Sequence, residues 1–269
     1  MRFAANLSLL FPDDIRFSER CARVAAQGFK HVELLFPYDL ALQDYLAPLQ
    51  DYGLQTILIN TPVRPSQLGL AALPGSQAQF KTDFEVALTK AQALKAPAIH
   101  VMAGHTRDLD RSLWQQTLLE NLEWALAQIK GLDLTLQLEA LNGQDAPGYA
   151  YQSALDVTPL LRTLNSPQVR LQFDFYHTLK ENLPLLETLE HALPFISHIQ
   201  LAGPVGRHEP NLEAYPEIIS ALQCLKAAHY PGYIGCEYRP LDQLETGLRF
   251  LTTLQQLGLC SAPRGSLCT

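Results

Sequence analysis

No cysteine pair in this chain has C-x-x-C spacing. The five cysteines, Cys21, Cys224, Cys236, Cys260 and Cys268, are odd in number and widely spread. That excludes a zinc knuckle of the usual form, argues against a disulfide framework, and makes a reducing cytoplasm the expected compartment. No apolar run approaches the ~18 residues of a membrane span. The opening MRFAANLSLLFPDD has neither the long apolar stretch nor the A-x-A site of a secretory leader. Charged residues are scarce, at 17%, and basic ones scarcer, 20 against 27 acidic for a net charge of −7. Nucleic-acid binding needs a basic footprint, so it is disfavoured. FAANLSLLFPDD also contains no glycine, whereas an open dinucleotide-binding sheet would carry a Gly-rich turn there.

What is present is an apolar fraction of 47% in 269 residues, enough for a large core. Eight short strand-like runs alternate with longer helical patterns: Phe3–Leu7, His31–Leu35, Thr56–Asn60, Ile99–Met102, Leu134–Glu139, Val169–Phe173, His198–Leu201 and Tyr233–Glu237. Between them, Phe17, Cys21, Val24, Ala25 and Gly28 share one helical face, as do Leu118, Leu122, Ala125 and Ile129. Gly28, Gly53 and Gly131 stand where helices should stop. Eight βα units in about 250 residues predict an α/β chain closed into a single (β/α)8 barrel. The barrel is expected over residues 1–258, with a tail over 259–269 that lacks helical period.

Side chains alternate faces along a strand. On one face lie Val32, Leu34, Ile57, Ile59, Ile99, Val101, Leu136, Leu138, Leu171, Phe173, Ile199 and Leu201. On the other lie Glu33, Asn60, His100, Gln137, Glu139, Gln172, Asp174, His198, Gln200 and Glu237. The apolar set suits contact with the helices, which points the polar set into the barrel. Burying carboxylates together requires shared protons, a cation or water. Glu139, Asp174, Gln200 and Glu237 end four consecutive strands, 35, 26 and 37 residues apart. Three carboxylates and an amide oxygen suit a hard divalent ion, Mg2+ or Mn2+. A single acid at a strand end reads as readily as a helix cap, so the coincidence across four strands carries this expectation. Glu33 and His100, inward on earlier strands, are candidates to orient the ligands. Cys236, beside Glu237, reads as a small buried apolar residue.

The strings FAANLSLLF, HVELLFPYD, GLAALPG, HVMAG, QFDFYH, HIQLAG, GRHEP and GCEYRP resemble the hydroxypyruvate isomerase family, within the xylose-isomerase-like TIM barrels, from Arg2 to about Leu251. The resemblance implies a (β/α)8 barrel that interconverts a 2-keto acid and an aldehyde. It makes Glu139 and Glu237 the proton-transferring pair, and Glu139, Asp174, Gln200 and Glu237 the metal ligands. It places His177, Arg207 and His208 around the substrate. Hydroxypyruvate isomerases proper read E-P-I-N and I-A-D where this chain has Glu139-Ala140-Leu141-Asn142 and Leu201-Ala202-Gly203. These forms look more like the 2-oxo-tetronate isomerase branch, whereas Asn142 and Pro147-Gly148-Tyr149 look like the hydroxypyruvate branch.

The expected reaction is isomerisation of hydroxypyruvate to tartronate semialdehyde. 2-Oxo-tetronate isomerisation and a ketose 3-epimerase or sugar isomerase on the same metal are the alternatives. Arg207 is the expected grip on a substrate carboxylate, because a guanidinium makes two parallel hydrogen bonds to it. A repair endonuclease would need several zinc ions, more inward histidines and a basic face. The expected partner is a small hydroxy- or keto-acid, with no nucleic acid and no membrane. A homo-oligomer stays open.

Overall fold

The computed structural model describes residues 1–64 and 67–260. Eight parallel strands close in sequence order: β1 (Arg2–Asn6), β2 (His31–Leu34), β3 (Gln55–Asn60), β4 (Ala98–His100), β5 (Thr135–Glu139), β6 (Val169–Asp174), β7 (Ile196–Leu201) and β8 (Tyr233–Cys236). The seam is β1 on β8, with Phe3 opposite Ile234. The main outer helices are α1 (Phe17–Ala26), α2 (Leu42–Asp51), α3 (Gln77–Leu94), α4 (Arg111–Gln128) and α5 (Ala154–Leu164). The short α6 (Phe175–Lys180) precedes α7 (Leu185–Ala192), and α8 (Glu217–Ala227), α9 (Leu244–Gly247) and α10 (Phe250–Gln256) complete the ring. The expected barrel is the observed one. No helix among the described residues is long and apolar enough to cross a membrane.

Local chemistry sets these boundaries. Gly28 (φ +85°), Gly53 (φ +61°) and Gly131 (φ +81°) adopt the left-handed backbone that turns each chain from helix toward strand. Asp110 caps α4 by accepting from Leu113 N–H at 3.1 Å. Ser153 caps α5 in a reciprocal box with Asp156.

The core lies mostly outside the strands. Ile59, Ile99, Leu136, Leu138, Leu171, Phe173, Ile199, Leu201 and Ile234 pack with the helices into one continuous cluster. Among the described residues a second, small apolar cluster is Ala4, Ile57, Leu58 and Ala98 against Tyr233, so Ile57, expected against the helices with Ile59, belongs to this floor rather than to the main core. The Arg2 guanidinium lies 4.1 Å over the Tyr233 ring. Above that floor the barrel is filled with polar side chains. Leu259, expected to open the tail, is instead buried in the main cluster, its N–H bonded to Leu254 O at 2.7 Å. The rest of the expected tail, from 261 on, lies outside the described residues.

Candidate active site

Strand register builds the site. Asp174 on β6 lies level with Gln200 on β7, and Gln200 with Gly235 on β8. Glu139 on β5 is level with Gln172, one pleat below Asp174. Glu237 follows the last residue of β8. Glu139, Asp174 and Glu237 are each 4% exposed, so three carboxyls share one nearly dry space at the C-terminal strand ends, where barrel enzymes hold their active sites.

Glu139, Asp174 and His177 each bring a donor atom within 4.8 Å of the others. Asp174 serves two purposes. Its Oδ1 accepts from Tyr176 N–H at 2.8 Å and caps α6, which leaves Oδ2 for the cavity. His177, one turn along α6, accepts the Asn142 backbone N–H on Nδ1 at 3.0 Å. Burial drives its pKa well below the usual value, with the Arg207 charge adding to the effect. The ring is therefore neutral and carries its proton on Nε2. That N–H stands 3.6 Å from Asp174 Oδ2 and 3.9 Å from Glu139 Oε1. It is a hydrogen-bond donor aimed into the cavity, which suits a substrate oxygen better than a metal ion.

Arg207 reaches into the same space from the loop after β7. Its Nη2 donates to Glu237 Oε2 at 2.7 Å and lies 3.4 Å from Asp174 Oδ2. Its guanidinium stacks 4.7 Å from the Tyr176 ring centre. The residue sits at φ +53°, and its carbonyl accepts from Arg239 N–H at 2.9 Å. Burial pushes Glu237 up to about 8, against the opposing pull of Arg207. Burial likewise raises Asp174 to about 6, again opposed by Arg207. Glu139 is raised well above the carboxylate range by burial and by the charges of Glu237 and Asp174. His208 lies apart from this cluster. Its Nδ1 pairs with Arg239 O at 2.8 Å, tying the loop after β7 to the loop after β8.

Gln200 and Glu139 are linked by a residue the sequence reading had placed inward and given no role. Gln172 Nε2 donates at 2.7 Å both to Glu139 Oε2 and to Gln200 Oε1. Behind Gln200 sits Glu33, fully buried, in contact with Gln200, His198 and Asn6. His198 also went unassigned, although alternation had put it on the inward face. His100 places Nδ1 3.3 Å from Glu139 Oε2, and burial lowers its pKa to about 3, so it is neutral beside that carboxyl. The donor set fits a hard divalent cation. It offers the Glu139 and Asp174 carboxyls within 4.8 Å of each other, the Glu237 carboxyl joined to Asp174 through Arg207, an amide oxygen within one bridging amide of Glu139, and a Glu139 Oε1 sealed from solvent without a hydrogen-bond partner.

A closed parallel barrel with carboxylates converging at its C-terminal mouth defines a class, and the comparisons agree with it. Residues 21–254 match the xylose isomerase-like TIM barrel family, and the chain belongs to that family. The 2-oxo-tetronate isomerase of Cupriavidus necator is 36% identical, covering 93% of this chain and 97% of its own length. The hydroxypyruvate isomerase of Escherichia coli K12 is 29% identical, covering 93% and 98%. A crystal structure described as an AP endonuclease, family 2, from Brucella melitensis superposes with a TM-score of 0.85 at 33% identity, covering 94% of this chain and 98% of that one. The chain is an isomerase of the family that holds proteins named 2-oxo-tetronate isomerase and hydroxypyruvate isomerase.

Proposed function

We propose that this enzyme interconverts a short 2-keto acid and its hydroxy-aldehyde or hydroxy-keto isomer, with hydroxypyruvate and tartronate semialdehyde as the pair. The observation that carries the reading is the pair of buried glutamates, Glu139 and Glu237, both with raised pKa, sharing their cavity with one arginine. One glutamate takes a proton from the hydroxymethyl carbon and the other returns a proton to the former carbonyl carbon, while the hydroxyl proton passes to the former carbonyl oxygen. With no cation bound, burial raises both carboxyls and favours a resting proton, whereas a divalent ion at the same carboxyls would lower them, so the working pKa of the pair is set by the balance of the two. Arg207 leaves Glu237 to grip the substrate carboxylate, and its stack on Tyr176 holds the guanidinium plane. His177 Nε2–H donates to a substrate oxygen. A divalent ion, Mg2+ or Mn2+, held by Glu139, Asp174, Glu237 and the Gln200 oxygen would supply Lewis-acid polarisation of the carbonyl.

2-Oxo-tetronate is the second reading, favoured by the higher identity to an isomerase of that name and by the Leu201-Ala202-Gly203 segment. A neutral ketose has no carboxylate to draw Arg207 off its carboxylates, which places the sugar reactions third. Proton NMR in D2O separates the readings. Protein supplied with Mg2+ or Mn2+ is incubated with hydroxypyruvate and, separately, with 2-oxo-tetronate. The expected result is isomerisation with deuterium in the new C–H bond, abolished in Glu237→Gln, and the faster substrate names the branch. Folded protein that neither isomerises nor exchanges either acid would overturn the proposal.

A further inference from the structure

Glu33 is a carboxylate with no exposure, on β2, two strands round the closed barrel from β8. Three side chains converge on it. Asn6 Nδ2 donates to Oε2 at 2.9 Å, Gln200 Nε2 to Oε2 at 3.2 Å, and His198 Nε2 lies 2.5 Å from Oε1. The barrel makes room for it at Gly235, where a Cβ would fall 1.9 Å from Glu33 Oε1. Burying a carboxylate costs several kcal/mol before its hydrogen bonds are counted. A small apolar side chain could fill the same space, so packing alone does not account for an acid here.

Gln200 supplies the account. Of the four residues assigned to the cation, it is the one whose end is ambiguous, because an amide can present either oxygen or NH2. A carboxylate only accepts, so it binds the nitrogen end and turns the oxygen to the opposite side. On that side Gln200 Oε1 accepts from Gln172 Nε2, the nitrogen that also donates to Glu139 Oε2. The polarity runs without a break from Glu33 through Gln200 and Gln172 to Glu139. We infer that Glu33 is a positioning residue that fixes the amide polarity of Gln200, so that oxygen rather than NH2 faces Glu139 and Asp174. The inference rests on the cation assignment under Proposed function.

The test is Mn2+ binding, read by the loss of the free-ion EPR signal, in wild type, Glu33→Gln, Gln200→Glu and the double variant. With Gln200 present, Glu33→Gln should weaken Mn2+ binding by ~10–100-fold, the range for a lost outer hydrogen-bonding partner. With Glu at 200 both ends are oxygen and the side chain meets the Glu33 carboxylate without a donor, so Glu33→Gln supplies the missing donor and should leave affinity unchanged or raise it. Equal losses in the two backgrounds, or no loss in either, would overturn the positioning role and leave the cation assignment standing. A wild type that binds no Mn2+ would overturn both. Should Glu33→Gln not fold, the wild-type Gln200 amide decides, its resonances assigned through Gln200→Glu. On addition of Mg2+ its 13Cδ resonance should shift while its NH2 protons stay protected from solvent exchange. A 13Cδ that ignores Mg2+ would overturn the inference.

Discussion

At the residue scale, Gly235 shows how close the polar interior is to its steric limit. Gly235→Ala should destabilise the protein by roughly 1–3 kcal/mol, as overpacking of a closed interior does. A urea melt would show a lower midpoint with unchanged slope, and Gly235→Ala with Glu33→Ala should recover part of the loss. Single residues also show how far the sequence could be read. Glu139, Asp174, Gln200 and Glu237 were legible because alternation forces a strand-end acid inward and four strands agreed. Gln172 lies on the same inward face as Asp174, and only its bridging contacts mark it out, since a glutamine carries no charge signal. The Arg207 contact with Glu237 and Asp174 was not legible. It depends on a left-handed loop residue bringing a long side chain back over the mouth, and no local pattern encodes that path. The tautomer of His177 was hidden for the same reason, because its partner, Asn142, belongs to a different βα unit.

At the scale of elements, the eight strands were placed to within two residues at every boundary, because the apolar outer face gives a clean period of two. The stops at Gly28, Gly53 and Gly131 were legible from composition. The docking of Leu259, three residues past the end of α10, was not, because Leu259 reads as loop in sequence and is drawn into the core by tertiary contact. Helix α5 follows the loop that carries Asn142, and its start is set by the Ser153 box. Ser153→Ala should cost about 1 kcal/mol, read as a lower thermal midpoint. Turnover should change little, because the substitution removes a backbone cap and touches no group in the cavity.

For the whole molecule, the carboxyl cluster trades stability for function, and pH exposes the trade. Burial raises the folded pKa of Glu237 to about 8 from an ordinary 4.5. Between those values the native state holds more proton than the unfolded chain. Stability in EDTA should therefore fall as pH rises through that window and level off above it. Asp174, raised to about 6 from 3.8, acts with the same sign at lower pH. Glu139, raised well above the carboxylate range, acts with the same sign, and Glu237→Gln removes the share of the slope that belongs to Glu237. Its melting temperature should match wild type near pH 5 and exceed it by roughly 3 °C or more at pH 8.5, measured by scanning calorimetry. A variant curve parallel to wild type across the range would contradict this assignment of strain.

The fit of Glu33 into the space left by Gly235 also gives the barrel a direction in descent. A methyl group at 235 is closed to any lineage that keeps the acid at 33, whereas loss of the acid first opens position 235 to drift. Change at the two positions, 202 residues apart in sequence, is thus coupled, and the order in which the acid goes first is the one that meets no steric cost at 235.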